Sequence, residues 1–181
     1  MVRFYQLKMY QIDKLITQMQ ENGVLLDANL LVLLVVGLVD PSKITTHKKL
    51  KSAYDKDSYK LLIYIINSCK KIYVTSHVLA ETNGLMTKGL TGELEIKVFL
   101  ALKQVIELDS FHELHCPSTT IVAHEKYIKY GLTDIGLLHL LTNKVVLLTD
   151  DFAFSGYVEK IGLDTLNFQT LLYTIPKKEW M

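Results

Sequence analysis

The chain has 181 residues, 49% hydrophobic and 22% charged, a balance that suits one α/β domain with a full core and excludes a disordered chain. Basic and acidic residues nearly cancel, 20 against 19, for a formal net charge of +1, which excludes a strongly basic nucleic-acid coat. Arg3 is the one arginine, so bidentate arginine clamps on phosphate are nearly excluded as well, and any nucleic acid must be held by a local basic patch or by bound metal ions.

The first predicted element is a helix over residues 4–20. It places Phe4, Leu7, Ile12, Leu15, Ile16 and Met19 roughly on one face, with Gly23 to end it. The segment is polar and amphipathic, without the central apolar run of a signal peptide. Val24-Leu25-Leu26 reads as a short strand stopped by Asp27. Residues 29–39 read as a helix buried nearly all round, ended by Asp40-Pro41, because proline disfavours helical geometry in the residue before it. Its apolar stretch, 30–39, is about half of what a membrane span needs, so no membrane association is expected.

Residues 42–60 are polar and lysine-rich. They read as a solvated helix or loop, or as a phosphate-contacting surface with aromatic help from Tyr54 and Tyr59. A helix over 61–69 precedes a second strand at 72–75. A helix over 76–86 follows, with Ser76 as its cap, and Gly89 and Gly92 bracket a break. A helix over 93–106 leads into a loop over 106–118 that contains Pro117. Two helices are then expected, over 118–129, stopping at Gly131, and over 133–142, capped by Thr133. A strand at 145–149, a helix at 152–161 ended by Gly162, and a last strand at 164–168 complete the pattern before Pro176 breaks the C-terminal segment. Strands alternating with helices predict an α/β fold, a three-layer α/β/α sandwich with a central, mostly parallel sheet, as a single domain over 1–181 with an extra N-terminal helix over 1–21.

Cys69 and Cys116 are far apart, without a CxxC partner. His112 and His115 beside Cys116 lack a fourth ligand and read as incidental loop histidines. Reduced structural cysteines fit a cytoplasmic protein.

The acids fall where such folds do chemistry. In parallel α/β folds ligands bind at the carboxyl ends of the strands. Asp27 follows the strand at 24–26, and Asp150 and Asp151 follow the strand at 145–149. Glu81 lies in the first turns of the helix after 72–75, and Asp134 opens the helix before 145–149. Glu81 sits among Val78, Leu79 and Leu85, and Asp134 precedes Leu137 and Leu138, so both are expected to be partly desolvated. A single Asp at the end of a strand is explained by helix capping; a second beside it is not. Two carboxylates 4 Å apart repel by about 4 kcal/mol at an effective dielectric of 20. Convergent acids therefore call for a hard divalent cation with oxygen ligands, Mg²⁺ or Mn²⁺, which typically serves phosphates. Asp27-Ala28-Asn29 lacks the second acid of an Asp-x-Asp phosphatase motif, and the strand at 145–149 ends in Thr-Asp rather than in the lysine of a receiver domain.

Four segments in order resemble the PIN-domain nucleases over roughly residues 22–168. GVLLDANLLVLL carries Asp27 and Asn29, and IYVTSHVLAETNGLM carries Glu81. YGLTDIGLLHL carries Asp134, and VVLLTDDFAF carries Thr149 and Asp151 in the family's Thr-x-Asp, with Asp150 at its variable position. The resemblance implies a Mg²⁺- or Mn²⁺-dependent endoribonuclease that hydrolyses single-stranded or structured RNA. Asp27, Glu81, Asp134 and Asp151 would hold the metal and position the attacking water, Asp150 would be a further metal ligand, and Asn29 and Thr149 would orient the cluster. Lys43, Lys48, Lys49 and Lys51 would be the phosphate contacts, although a solvated lysine face accounts for them more simply. Many bacterial members are toxins of the VapC type held by an antitoxin peptide, which implies a toxin or related defence role.

Two departures leave alternatives open. Gly136 stands where a second acid often lies in the third motif, and the chain is longer than the compact toxins. A PIN-like module that binds RNA or a protein partner without cutting is the alternative. The apolar N-terminal face and Trp180 raise a partner or homodimer surface, against packing on the chain's own domain.

Overall fold

The computed structural model describes residues 2–141 and 144–180, with side chains from residue 9 onward. The parts expected of Phe4 and Leu7 on the first helical face, and of Thr142 at a helix end, lie outside the described residues.

The first helix, α1, spans Val2–Asn22 and hands the chain to β1, Val24–Leu26, through Gly23 at φ 96°. Val24, Leu25 and Leu26 are wholly buried because β1 is the middle strand of five. Next comes α2, Ala28–Val39, whose uninterrupted apolar sequence matches its burial from Leu30 to Gly37. Asp40 ends it in an extended conformation before Pro41, as proline chemistry requires. Then α3, Lys56–Ser68, leads to β2, Ile72–Thr75, followed by α4, Ser76–Leu85, and α5, Glu93–Ile106. The remaining elements are β3 (Phe111–Leu114), α6 (Ser118–Val122), α7 (Tyr127–Leu140), β4 (Val146–Thr149), α8 (Phe152–Lys160), β5 (Thr165–Asn167) and α9 (Phe168–Thr174).

The sheet order is β3-β2-β1-β4-β5 and every pairing is parallel. The chain runs one way from β1 to β2 to β3 and the other way from β4 to β5, and crossovers of the usual right hand then put helices on both faces. The result is the expected three-layer α/β/α sandwich. The order reverses between β1 and β4, so this pair is the topological switch point, where open α/β sheets take their ligands.

Several local expectations are corrected. Residues 111–114, expected in a loop, form the edge strand β3. Their Phe-His-Glu-Leu sequence lacks an apolar run because an edge strand needs burial on little of its surface. The helix expected over 118–129 is two short pieces, α6 and the first turn of α7, and the expected stop is where the sequence placed it: Gly131, at φ 76° and ψ −171°, is non-helical and separates that turn from the helix that follows. This glycine, rather than a Thr133 cap, divides the segment. The cap of α4 is Thr75, whose hydroxyl accepts from the Val78 N–H at 3.1 Å, one residue before the expected Ser76. The stretch 42–60 is a 3₁₀ turn at Pro41–Lys43, further turns, and then the start of α3. It is not wholly solvated: Ile44, His47, Leu50 and Tyr54 are buried.

The N-terminal face and the C-terminal tryptophan pack on the chain itself. Ile12, Leu15 and Met19 are buried, and the Gln18 amide donates to Asp164 at 2.7 Å, beside β5. Trp180 is buried, with its indole N–H on the Ile175 carbonyl at 3.3 Å. Among the described residues no helix is long and apolar enough to cross a membrane. Cys69 and Cys116 are free and buried.

Close packing in this core has one sharp test. A Cβ on Gly37 would lie 2.2, 2.4 and 2.8 Å from ring carbons of Tyr59. Gly37→Ala is expected to lower stability by about 1–3 kcal/mol in urea denaturation, despite alanine's better helix propensity. In a Tyr59→Ala background the same change is expected to cost much less. Equal costs in both backgrounds would show that the ring is not what holds α2 there.

Candidate active site

Four of the five strands run into a helix through a side-chain cap at their carboxyl end: Asp27, Thr75, Asp151 and Asn167. Capping therefore draws short polar side chains to one edge of the sheet, and at the switch point two of the neighbours there are acids. Asp27 is 5% exposed. Its Oδ1 accepts from the Leu30 N–H at 2.8 Å and caps α2, while its Oδ2 accepts from the Asp150 N–H at 3.0 Å across to the end of β4. Its own N–H donates to the Leu148 carbonyl at 3.3 Å. Burial, then the Asp150 charge, pushes the Asp27 carboxyl well above the usual range, while the Thr149 hydroxyl and the two backbone donors pull the other way.

The adjacent pair divides two tasks. Asp151 is exposed and caps α8, its Oδ1 accepting from the Phe154 N–H at 2.8 Å. Asp150 turns inward: Oδ1 accepts from the Asn29 amide at 2.9 Å, and Oδ2 accepts from the Tyr54 hydroxyl. Thr149, buried, steadies the turn by accepting the Asp151 N–H at 3.1 Å. Asp150, the residue at the variable position, thus has the richer inward contacts of the two. The Asn29 carbonyl Oδ1 is buried with no hydrogen-bond partner among the described residues.

Across from this pair, α7 brings Asp134. Burial, then the charges of Asp151, Glu81 and Asp150, raises its carboxyl to about 7. Glu81 is itself exposed, so its expected desolvation is corrected. Gly136, where the resemblance puts a second acid, is buried and closely packed. A Cβ there would meet Ile121 at 3.2 Å and the His77 Nδ1 at 3.6 Å.

The structure therefore brings Asp27, Asn29, Thr149 and Asp150 into direct contact, and sets Asp134 in the field of Asp150, Asp151 and Glu81. Among the described residues no three His, Cys, Asp or Glu groups close into a ready-made metal cage. The chemistry of the donor set nevertheless suits a hard divalent cation. It is all oxygen, its charges repel, and the Asn29 carbonyl is a spare acceptor. The residues able to hold such an ion are Asp27, Asp134, Asp150 and Asp151, with Glu81 beside them.

Among the described residues, the charges that act on Asp27 and Asp134 are those of carboxylates and not of Lys43, Lys48, Lys49 or Lys51. The Lys48 N–H donates to the Lys88 carbonyl at 3.1 Å, Lys43 lies near Asp40, and Lys48 and Lys51 are exposed with Lys49 half-buried. Lys51 lines a cavity of about 420 Å³ with Tyr54, Tyr173 and Lys177. Tyr54 is the site residue that sequence reasoning assigned to a surface. Its signal was the next residue: Asp55 and Ser58 form a capping box, and the residue before such a box is commonly an apolar staple.

Comparison of the chain with protein-family models, with curated proteins and with solved structures gives no significant match.

The raised carboxyl of Asp134 fixes the sign of a pH effect. Its folded value, about 7, lies above the 3.8 of a free aspartate, so the folded state holds the proton more tightly. The stabilisation is complete below the unfolded value and is lost as pH rises through about 7. In EDTA, Asp134→Asn is expected to gain about 1–3 kcal/mol on the parent between pH 5 and pH 8 in urea denaturation. Parallel pH profiles for the two proteins would show that the carboxylate repulsion is absent.

Proposed function

We propose that this chain is a Mg²⁺- or Mn²⁺-dependent endoribonuclease of the PIN type, hydrolysing phosphodiester bonds of single-stranded RNA. The observation that carries the reading is the field at Asp134, where burial and three further carboxylates raise the carboxyl to about 7 at the switch point of a parallel sheet. Perturbed acids of one sign, gathered at a ligand-binding edge, are suited to a cation and a phosphate rather than to each other. When bound, such an ion lowers the pKa of a water and polarises the phosphoryl oxygen.

The chain's own residues have distinct parts in this reading. Asp27 is held rigid by the N–H groups of Leu30 and Asp150. Asn29 and Tyr54 orient the Asp150 carboxylate from two sides. Asp134, whose carboxyl burial and the neighbouring acids push up, would ionise when the ion binds and add its oxygens to the ligand set. Asp151 and Glu81 add charge at the open side, where substrate would enter. A cytoplasmic toxin restrained by an antitoxin peptide is the biological role that this activity suggests. A second reading, an RNA- or protein-binding module that does not cut, is favoured by one observation: the acids do not close into a ready-made cage among the described residues.

The test uses a labelled single-stranded RNA with Mn²⁺ or with EDTA. The parent is expected to cleave only with metal, and the Asp27→Asn/Asp151→Asn double variant to lose about 100-fold or more. Asp151→Asn keeps a capping acceptor, whereas at Asp27 the new amide NH2 would face a backbone N–H. The melting temperature of the double variant is therefore measured beside its activity. The exposed Asp151→Asn single variant, expected to fold as the parent does, carries the test if the double variant unfolds. Cleavage in EDTA, or an undiminished double variant, would overturn the nuclease; a parent that binds RNA without cutting it would establish the second reading.

A further inference from the structure

The lysine-rich stretch between α2 and α3 has a buried seam beneath its exposed lysines. Ile44, His47 and Leu50 are wholly buried, and Tyr54 is 6% exposed. Both ring nitrogens of His47 are used. Nε2 faces the Met86 carbonyl at 2.9 Å and so carries the proton, while Nδ1 accepts from the Lys49 N–H at 3.2 Å. Met86 is the residue at which α4 ends, where carbonyls are left without partners inside the helix. His47 therefore fastens the stretch to the end of the helix that bears Glu81.

From His47 the fastening passes along the backbone. The Lys51 N–H donates to the His47 carbonyl at 3.0 Å, and the Tyr54 N–H donates to the Leu50 carbonyl at 2.9 Å. These consecutive turns set where Tyr54 lies relative to His47. A tie from α9 holds the far end: the Gln169 amide donates to the Ala53 carbonyl at 3.3 Å, and the Phe168 ring lies 6.2 Å from that of Tyr54. The Tyr54 hydroxyl then donates to Oδ2 of Asp150. A run of hydrogen bonds thus leads from the end of α4 to the acid that follows β4.

We propose that residues 41–55 form a positioning strap for the acid cluster, with His47 as the positioning residue that seats the Tyr54 hydroxyl on Asp150. The inference rests on the reading of Asp150 as a ligand of a divalent cation and adds what holds that ligand in place. A carboxylate fixed by hydrogen bonds binds an ion more tightly than one that must first be ordered. His47 acts at a distance, through Tyr54 alone.

Mn²⁺ titration calorimetry, and urea denaturation in EDTA, are run on Tyr54→Phe, His47→Ala, the double variant and His47→Gln. Tyr54→Phe and His47→Ala are each expected to weaken Mn²⁺ binding about tenfold. The double variant is expected to be no weaker than either single one, because both remove the same contact. A histidine that merely supported the fold would let the two losses multiply, to about 100-fold. His47→Gln keeps an N–H for the Met86 carbonyl and is expected to recover most of the loss. Denaturation in EDTA repeats the cycle without metal: Tyr54→Phe is expected to lower the urea midpoint less in the His47→Ala background than in the parent. Should His47→Ala not fold, Gln169→Ala, which frees the strap at its exposed end, takes its place in both cycles under the same criteria. Mn²⁺ binding by His47→Ala equal to the parent's, or additive losses in either cycle, would overturn the strap. The two readings separate. A parent that binds no Mn²⁺ contradicts the metal reading, and the cycle in EDTA then decides the strap alone.

Discussion

The two oxygens of the Asp27 carboxylate tie the ends of neighbouring strands, one on the Leu30 N–H at 2.8 Å and the other on the Asp150 N–H at 3.0 Å. A buried carboxylate needs such donors, because desolvation without them costs several kcal/mol. The bond to Asp150 is made by the backbone, so it fixes the start of the turn after β4 and with it the direction of the Asp150 side chain. A second negative charge is thereby held beside the first. Asn29, two residues after Asp27, and Tyr54, brought in by the turn before α3, then supply the donors that make this tolerable. Three separate stretches of chain converge because one buried acid must be satisfied.

Satisfaction is incomplete, and the proposed function rests on that. Asp27 and Asp134 both remain above their ordinary range, and the charges that act on them are carboxylates. A near-neutral protein has positive charge enough to neutralise its acids, with 20 basic residues against 19 acidic. Its lysines are placed elsewhere, in exposed pairs such as Lys97–Glu93 and Lys177–Asp57. Exposed pairs of this kind contribute little to stability. The separation of the two kinds of charge leaves an acidic edge open to a cation from solution.

Much of this was legible in the sequence. The burial of α2 and β4 follows from uninterrupted apolar runs, and the acids after 24–26 and 145–149 mark strand ends. The helix over 93–106 was placed within its observed bounds. The edge strand β3 was hidden because its Phe-His-Glu-Leu sequence has no apolar run to announce it. The break at Gly131 was announced by the glycine itself, whose positive φ ends the helical geometry there. At the site, spacing pointed to which acids meet but not to how Asp150 and Asp151 share their work. That division depends on which of two adjacent side chains reaches the α8 cap, a matter of backbone direction rather than of residue type. Tyr54 was obscured by a lysine-rich neighbourhood that reads as surface while burying an aromatic ring.

The central claim is that repelling carboxylates at the switch point await a divalent cation. Calorimetric titration of the purified protein with Mn²⁺ near pH 6.5, repeated in buffers of different ionisation enthalpy, tests it most directly. The account predicts saturable binding that releases protons, because a carboxyl held near 7 must ionise to bind metal. Absence of saturable binding, or binding that releases no protons and is untouched by Asp134→Asn, would contradict it.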